Sequence, residues 1–239
     1  MRRKTLMSII QKAKRSQSFL KIGVEGPSGS GKSYSSLLLA KGMMGDLSST
    51  VVLDTENGSA NLYEHLGDYS VLPFDPPYGP DRYINAINMC VKEGFKVIII
   101  DSITHEWSGS GGCLDIHAKL GGQFQHWAKV TPMHRAFIDA ILQAKAHVIC
   151  TTRKKQEYAL ANVNGRNKVE KLGMKSETRE GWEYEMTCSF EMQMNHMALA
   201  GKDRTSLFDG EVPFDMNEEV GKKLINWANG SSQTKNKGE

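Results

Sequence analysis

The sequence predicts an α/β fold, a mostly parallel sheet flanked by helices, with antiparallel strands added in the C-terminal third. Three observations lead there. Continuous apolar runs such as "FKVIIID" and "HVICTT" alternate with helical segments, the pattern of strands buried on both faces. One apolar run leads into the glycine-rich stretch "GPSGSGKS" just before a helix. Beyond Glu157 the periodicity changes to stretches of period two, notably Thr187 to Leu199.

In chain order, residues 1–18 form a basic amphipathic helix. Arg2, Arg3, Lys4, Lys12, Lys14 and Arg15 are unaccompanied by any acid, and Leu6, Ile9, Ile10 and Ala13 fall at helical spacing. Its simplest reading is a helix with a solvated basic face. A strand follows over Phe19 to Val24, then a helix over Lys32 to Met43, a strand over Val51 to Leu53 and a short strand near Val71 to Phe74. "YGPDRY" opens the next helix with Pro80 at its first position, and Gly94 sits where a helix-ending glycine belongs. After "FKVIIID" a helix is expected over Pro132 to Ala144, entered through Thr131 as its cap, and then "HVICTT" as another buried strand. The Asn164-Gly165 pair marks a turn within a hairpin or mobile loop, followed by antiparallel edge strands. Val220, Leu224 and Trp227 define the buried face of a last helix, and 230–239 reads as a disordered tail.

The chain has 239 residues, which fits one domain over 19–229. Its longest apolar runs fall far short of the ~20 residues a membrane crossing needs, so no membrane partner is expected. Four cysteines, Cys90, Cys113, Cys150 and Cys188, are widely spaced, which points to a reducing cytoplasm. A net charge of only +3 excludes an indiscriminate polycation, so any anionic partner must be held by local patches.

Gly26, Gly31, Lys32 and Ser33 satisfy G-x-x-x-x-G-K-[ST] between a strand and a helix. Successive backbone N–H groups can wrap phosphate oxygens only where side chains do not intrude, and the helix N-terminus adds a favourable dipole. The candidate nucleotide contacts are Gly26, Pro27, Ser28, Gly29, Ser30, Gly31, Lys32, Ser33 and Tyr34. Lys32 would reach the β and γ phosphates of a bound nucleotide, and Ser33 would place a hydroxyl on Mg²⁺. Asp101, at the end of "KVIIID", falls at the C-terminal edge of a buried strand, where such sheets bind ligands, and is the second expected Mg²⁺ anchor. Glu56 and Glu106, each just beyond a strand, are the two candidates for the acid that polarises water. His105, Cys113 and His117 share one segment, but without a C-x-x-C pair their spacing does not define a zinc site.

At these residues the chain resembles the RecA-like P-loop ATPases, and most closely the phage AAA-family proteins proposed as single-strand annealing or recombination ATPases. "GPSGSGKS", "VVLDTENGS", "VIIIDSITHEW", "HVICTTRKK" and "GKDRTSLFDG" follow that family's block order. The resemblance implies an Mg²⁺-dependent ATPase acting on single-stranded DNA in recombination, annealing or replication. It favours Glu56 over Glu106, and it makes "HVICTT" a sensor strand that brings Thr151 or Thr152 near the γ-phosphate, with Thr152 in the candidate set. "GKDRT" resembles an element that reaches across a subunit boundary, so Lys202 and Arg204 would act on a neighbour's γ-phosphate within a ring or filament; read from the residues alone, a charged turn between strands fits it equally. A single-strand binding protein is a further partner implied in this way.

DNA would meet two long flexible segments. The first is the glycine-rich one carrying Lys119, Phe124 and Trp127, and the second runs from Arg153, Lys154, Lys155 and Tyr158 through Arg166, Lys168 and Lys171 to Lys175 and Arg179. Glu157, Glu170, Glu177 and Glu180 dilute the second, so a solvated hairpin is the competing reading. The competing function is a nucleotide or small-molecule kinase that uses the same phosphate loop.

Overall fold

A computed structural model describes residues 18–163, 166–208 and 212–230, with the backbone alone over 158–172. The expected N-terminal helix, the Asn164-Gly165 turn and the tail beyond Gly230 lie outside the described residues. The strands are β1 (Lys21–Gly26), β2 (Thr50–Asp54), β3 (Ser70–Pro73), β4 (Val97–Asp101), β5 (His147–Val163), β6 (Arg166–Ser176), β7 (Cys188–Met192), β8 (Met197–Asp203) and β9 (Phe214–Asp215). The helices are α1 (Lys32–Met44), α2 (Pro80–Lys92), α3 (Thr104–Ser108), α4 (Cys113–Lys119), α5 (Trp127–Gln143) and α6 (Glu218–Ala228). The sheet order is β3-β2-β4-β5-β1-β7-β8-β9, with β6 pairing off the path against β5.

The apolar runs form the parallel centre because both faces of each strand are covered. Val52, Val97, Ile99 and Ile149 point into one core with Ile22 and Val24, beneath α1 and α6. Their neighbours Val51, Leu53, Ile98, Ile100 and Val148 point into a second core against Tyr83 and Ile87 of α2 and Phe137 and Ile141 of α5. Alternation of period two thus buries every residue of such a strand. On the first face α1 and α6 cross with backbones in contact: a Cβ on Gly42 would lie 1.9 Å from the Glu218 carbonyl oxygen, and one on Gly221 would lie 2.3 Å from that of Leu39. No side chain fits in that crossing.

Several expectations need correction. β7 pairs parallel with β1, so the parallel centre runs one strand further and the antiparallel additions on that side begin at β8. The hairpin alternative holds in place of the mobile loop: β5 continues far past the sheet and pairs antiparallel with β6. The glycine-rich segment after β4 is not one long flexible loop: α3 ends at its start, α4 crosses its middle and a 3₁₀ turn at Phe124–His126 leads out of it into α5. Pro132 does not open its helix, since α5 starts five positions earlier at Trp127 and carries Pro132 inside. The start is set by tertiary contacts. A reciprocal cap between Gln123 and His126 leads into the helix, and the Trp127 ring stacks on Trp107 at 5.6 Å and on His117 at 4.1 Å. Pro132 lies on the solvent face, where water can serve the carbonyl that loses its helical partner. Among the described residues no helix is long and apolar enough to cross a membrane.

At the edge of the sheet remote from the phosphate loop, buried His147 accepts a hydrogen bond at Nδ1 from the Leu20 N–H, 3.0 Å away. Lys21 donates to the carbonyls of Ala144 (2.8 Å) and Ala146 (2.7 Å) beside it. Burial, with Lys21 adding to it, lowers the His147 pKa from 6.5 to about 4. The folded protein therefore keeps His147 neutral where the unfolded chain protonates it. Stability present above pH 6.5 is lost as pH falls from 6.5 toward 4, by at most about 3 kcal/mol from this group. Urea unfolding at pH 7 and at pH 4.5 measures the loss. His147→Asn should flatten the dependence, and an equally steep dependence in that variant would remove His147 as its source.

Candidate functional site: a phosphate loop facing two carboxylates

β1 ends at Gly26 and α1 starts at Lys32, so the glycine-rich stretch is the bend between them. Gly26 must be small, since a Cβ there would lie 2.5 Å from the Met192 carbonyl oxygen on β7. Gly31 caps α1 with φ 89°, a left-handed conformation that glycine adopts without steric cost. The first turn of α1 carries no acid, leaving its amide dipoles free for an anion. The Lys32 ammonium folds back onto the loop, donating to the carbonyls of Pro27 (2.8 Å) and Gly26 (3.1 Å). Burial lowers its pKa, opposed by Asp101 and Glu56.

In front of the loop opens a cavity of about 590 Å³, lined in part by Gly29, Lys32, Ser33, Tyr34, Glu56, Asp101, Arg153 and His196. Asp101 is buried at its floor. Ser33 Oγ donates to Asp101 Oδ2, and Thr151 Oγ1 donates to Oδ1 at 2.5 Å. Desolvation raises the Asp101 pKa, and those two hydroxyl donors oppose the rise. The hydroxyl of Ser33 and the carboxylate of Asp101 are hard oxygen donors in direct contact, a set that suits Mg²⁺ better than a softer ion.

Glu56 reaches the same cavity because β2 and β4 run in register, with Asp54 beside Asp101. The Asp54 carboxylate accepts from the N–H of Glu56 (2.7 Å) and of Ala60 (2.9 Å), bending the chain into a 3₁₀ turn at Ser59–Leu66 and projecting Glu56 over the sheet edge. Ser102 Oγ donates to Glu56 Oε1 at 3.2 Å, and Arg153 forms an ion pair with Oε2. Glu106 does not face the cavity. It is fully buried among helices, accepting from His134 Nδ1 at 2.9 Å and from Cys113 Sγ at 3.1 Å.

Other expected residues fall elsewhere. Thr152 does not line the cavity, and its buried hydroxyl has no hydrogen-bond partner among the described residues. Thr151, one residue earlier and on the opposite face of β5, makes the contact with Asp101. Lys202 and Arg204 are brought together but away from their own phosphate loop: both donate to the Tyr184 carbonyl, Arg204 at 2.7 Å. His105 pairs with Thr55 (2.7 Å) and His117 with the Gln123 carbonyl (3.0 Å), so neither joins Cys113 and no zinc trio forms from them. His196 and Tyr63 of the cavity wall were not anticipated. His196 sits with φ 66° on the turn between β7 and β8, its ring 3.1 Å from where a Gly31 Cβ would be, and no local motif announces it.

The family model described as "AAA domain" matches residues 18–229. This chain belongs to the AAA-domain family of P-loop ATPases. No curated protein matches the chain significantly. Among solved structures, the AAA domain is similar to a KaiC-like protein of the hyperthermophilic archaeon Pyrococcus horikoshii OT3, at 17% identity and a TM-score of 0.47. That match covers 83% of this chain and 87% of the archaeal one.

A second cavity of the AAA domain, about 940 Å³, lies between the stacked Trp107 and Trp127, the 90% exposed Phe124, and Lys175 and Arg179 at the root of the β5–β6 hairpin. Aromatic faces and cations from the two segments singled out in the sequence therefore share one cleft.

Proposed function

We propose that this AAA domain hydrolyses ATP with Mg²⁺ and couples the reaction to single-stranded DNA, as one subunit of a homo-oligomer. The observation that carries the reading is the Ser33–Asp101 contact in the same cavity as Lys32, with Glu56 across from it. The amides of 26–31 and Lys32 would bind the phosphates, and Ser33 and Asp101 would hold Mg²⁺. The metal would neutralise charge on the β and γ phosphates. Glu56 would orient a water and take its proton as the water oxygen bonds to the γ-phosphorus. The bond from that phosphorus to the bridging oxygen breaks, its electron pair leaving with ADP.

Lys202 on β8 and Arg204 just past its end converge on the Tyr184 carbonyl and would serve a neighbour's site, which would make the oligomer part of the chemistry. The aromatic and basic cleft supports single-strand binding, since bases stack on aromatic rings at roughly 1–3 kcal/mol each while cations hold the backbone. A role in phage recombination, annealing or replication within a host cytoplasm, alongside a single-strand binding protein, follows the family resemblance.

The test is ATP turnover with and without oligo-dT, beside oligonucleotide binding at low salt. Turnover should rise with DNA, and Trp127→Ala should weaken oligonucleotide binding roughly 5- to 100-fold. Brisk turnover indifferent to DNA, with no oligonucleotide bound, would remove the DNA half. A phosphorylated acceptor accumulating in place of free phosphate would turn the reading into that of a kinase.

A further inference from the structure

We propose that Arg153 is a second cation of the triphosphate site, held on Glu56 until a γ-phosphate takes it. The inference rests on the reading of the cavity as an ATP site. Arg153 is the β5 residue opposite Gly26, so its backbone lies level with the start of the phosphate loop. Its N–H is fixed by the hydroxyl of buried Thr104, 3.0 Å away. The next residue, Lys154, is tied to Glu191 (2.7 Å) and Glu25 (3.5 Å). With the strand pinned on both sides of it, only the Arg153 side chain has to move. That side chain enters the cavity and pairs with Glu56, with 38% of it exposed against 21% of the glutamate.

The pairing has two consequences. Both oxygens of Glu56 already accept hydrogen bonds, from Ser102 and from Arg153, which leaves the carboxylate poorly placed to orient and deprotonate a water. Arg153 is also near enough to Lys32 to contribute to the lowering of its pKa, so two cations share the cavity. A γ-phosphate would relieve that repulsion. With more charge and several oxygens it is the stronger partner for a planar guanidinium, which binds phosphate in a two-pronged way that an ammonium does not.

The exchange frees Glu56 Oε2 for the water. The water oxygen then bonds to the γ-phosphorus, the proton passes to Glu56, and the bond to the bridging oxygen breaks with its electrons leaving on ADP. Throughout, Arg153 faces the charge on the γ oxygens. ADP lacks that phosphate, so its binding should leave the Arg153–Glu56 pair closed.

The experiment measures dissociation constants for Mg·ADP and a non-hydrolysable ATP analogue, and ATP turnover, in wild type, Arg153→Ala and Arg153→Lys. In Arg153→Ala the analogue should bind about tenfold or more weakly while ADP stays within about twofold, and turnover should fall by on the order of 10²–10³-fold. Arg153→Lys should recover more of the analogue affinity than of the turnover. Two outcomes overturn the proposal: an analogue-to-ADP preference unchanged in Arg153→Ala, whether neither nucleotide loses affinity or both lose it equally, or faster turnover, which would make Arg153 purely a restraint. A wild type that binds neither nucleotide overturns the ATP reading and this proposal with it.

Discussion

Replacing Lys32 with alanine is expected to weaken ATP binding by on the order of 10²–10³-fold and to abolish measurable turnover, with little change in melting temperature. The size follows from the site. The ammonium is the cation that the loop itself carries beside its backbone amides, and truncating one member of a partly buried charged pair typically costs about 2–5 kcal/mol. The fold should survive, because the hydrogen bonds Lys32 makes among the described residues go to the carbonyls of Gly26 and Pro27 beside an open cavity, where water can replace it. Fluorescent-nucleotide titration together with thermal unfolding separates the two effects. An alanine variant that binds ATP like wild type would remove the phosphate reading of the loop.

Glu56→Gln and Glu106→Gln should produce opposite phenotypes. The first should keep ATP affinity within severalfold and cut turnover by about 10²–10⁴-fold, since an amide cannot take the water's proton. The second should leave turnover nearly intact and lower stability by on the order of 1–3 kcal/mol, because it disturbs the buried bonds from His134 and Cys113 that join α3, α4 and α5. Single-turnover assays and chemical denaturation on both variants would check the pair. If Glu106→Gln lost turnover at unchanged stability, the assignment would reverse.

The difference between these two glutamates shows where sequence reading stops. Each follows an apolar strand closely, and local chemistry treats them alike. Only the pairing of β2 with β4 sets Asp54 beside Asp101 and lifts Glu56 over the cavity, while the helical path after Ile103 turns Glu106 into the interior. Thr151 and Thr152 were equally indistinguishable, because alternation along a strand decides that one of them meets Asp101 but not which. Pro132 misled in the other direction: a sound local rule for helix starts gave way to the stacking of Trp127 on Trp107 and His117. Arg153 stood in the sequence as one basic residue among several in a hairpin. It became a cavity residue only once β5 was laid beside β1.

Taken alone, the amino-acid order determined what is built from neighbours: the strand–loop–helix around Lys32, the buried runs and the α/β class. These are properties of backbone freedom, apolar periodicity and end-capping over a few residues. Which carboxylate meets the phosphate loop, that Arg153 and His196 share its cavity, and that Lys202 and Arg204 gather away from it were decided by tertiary structure. Those contacts join residues far apart in the chain, and their geometry is set by strand order and register, which no short stretch encodes.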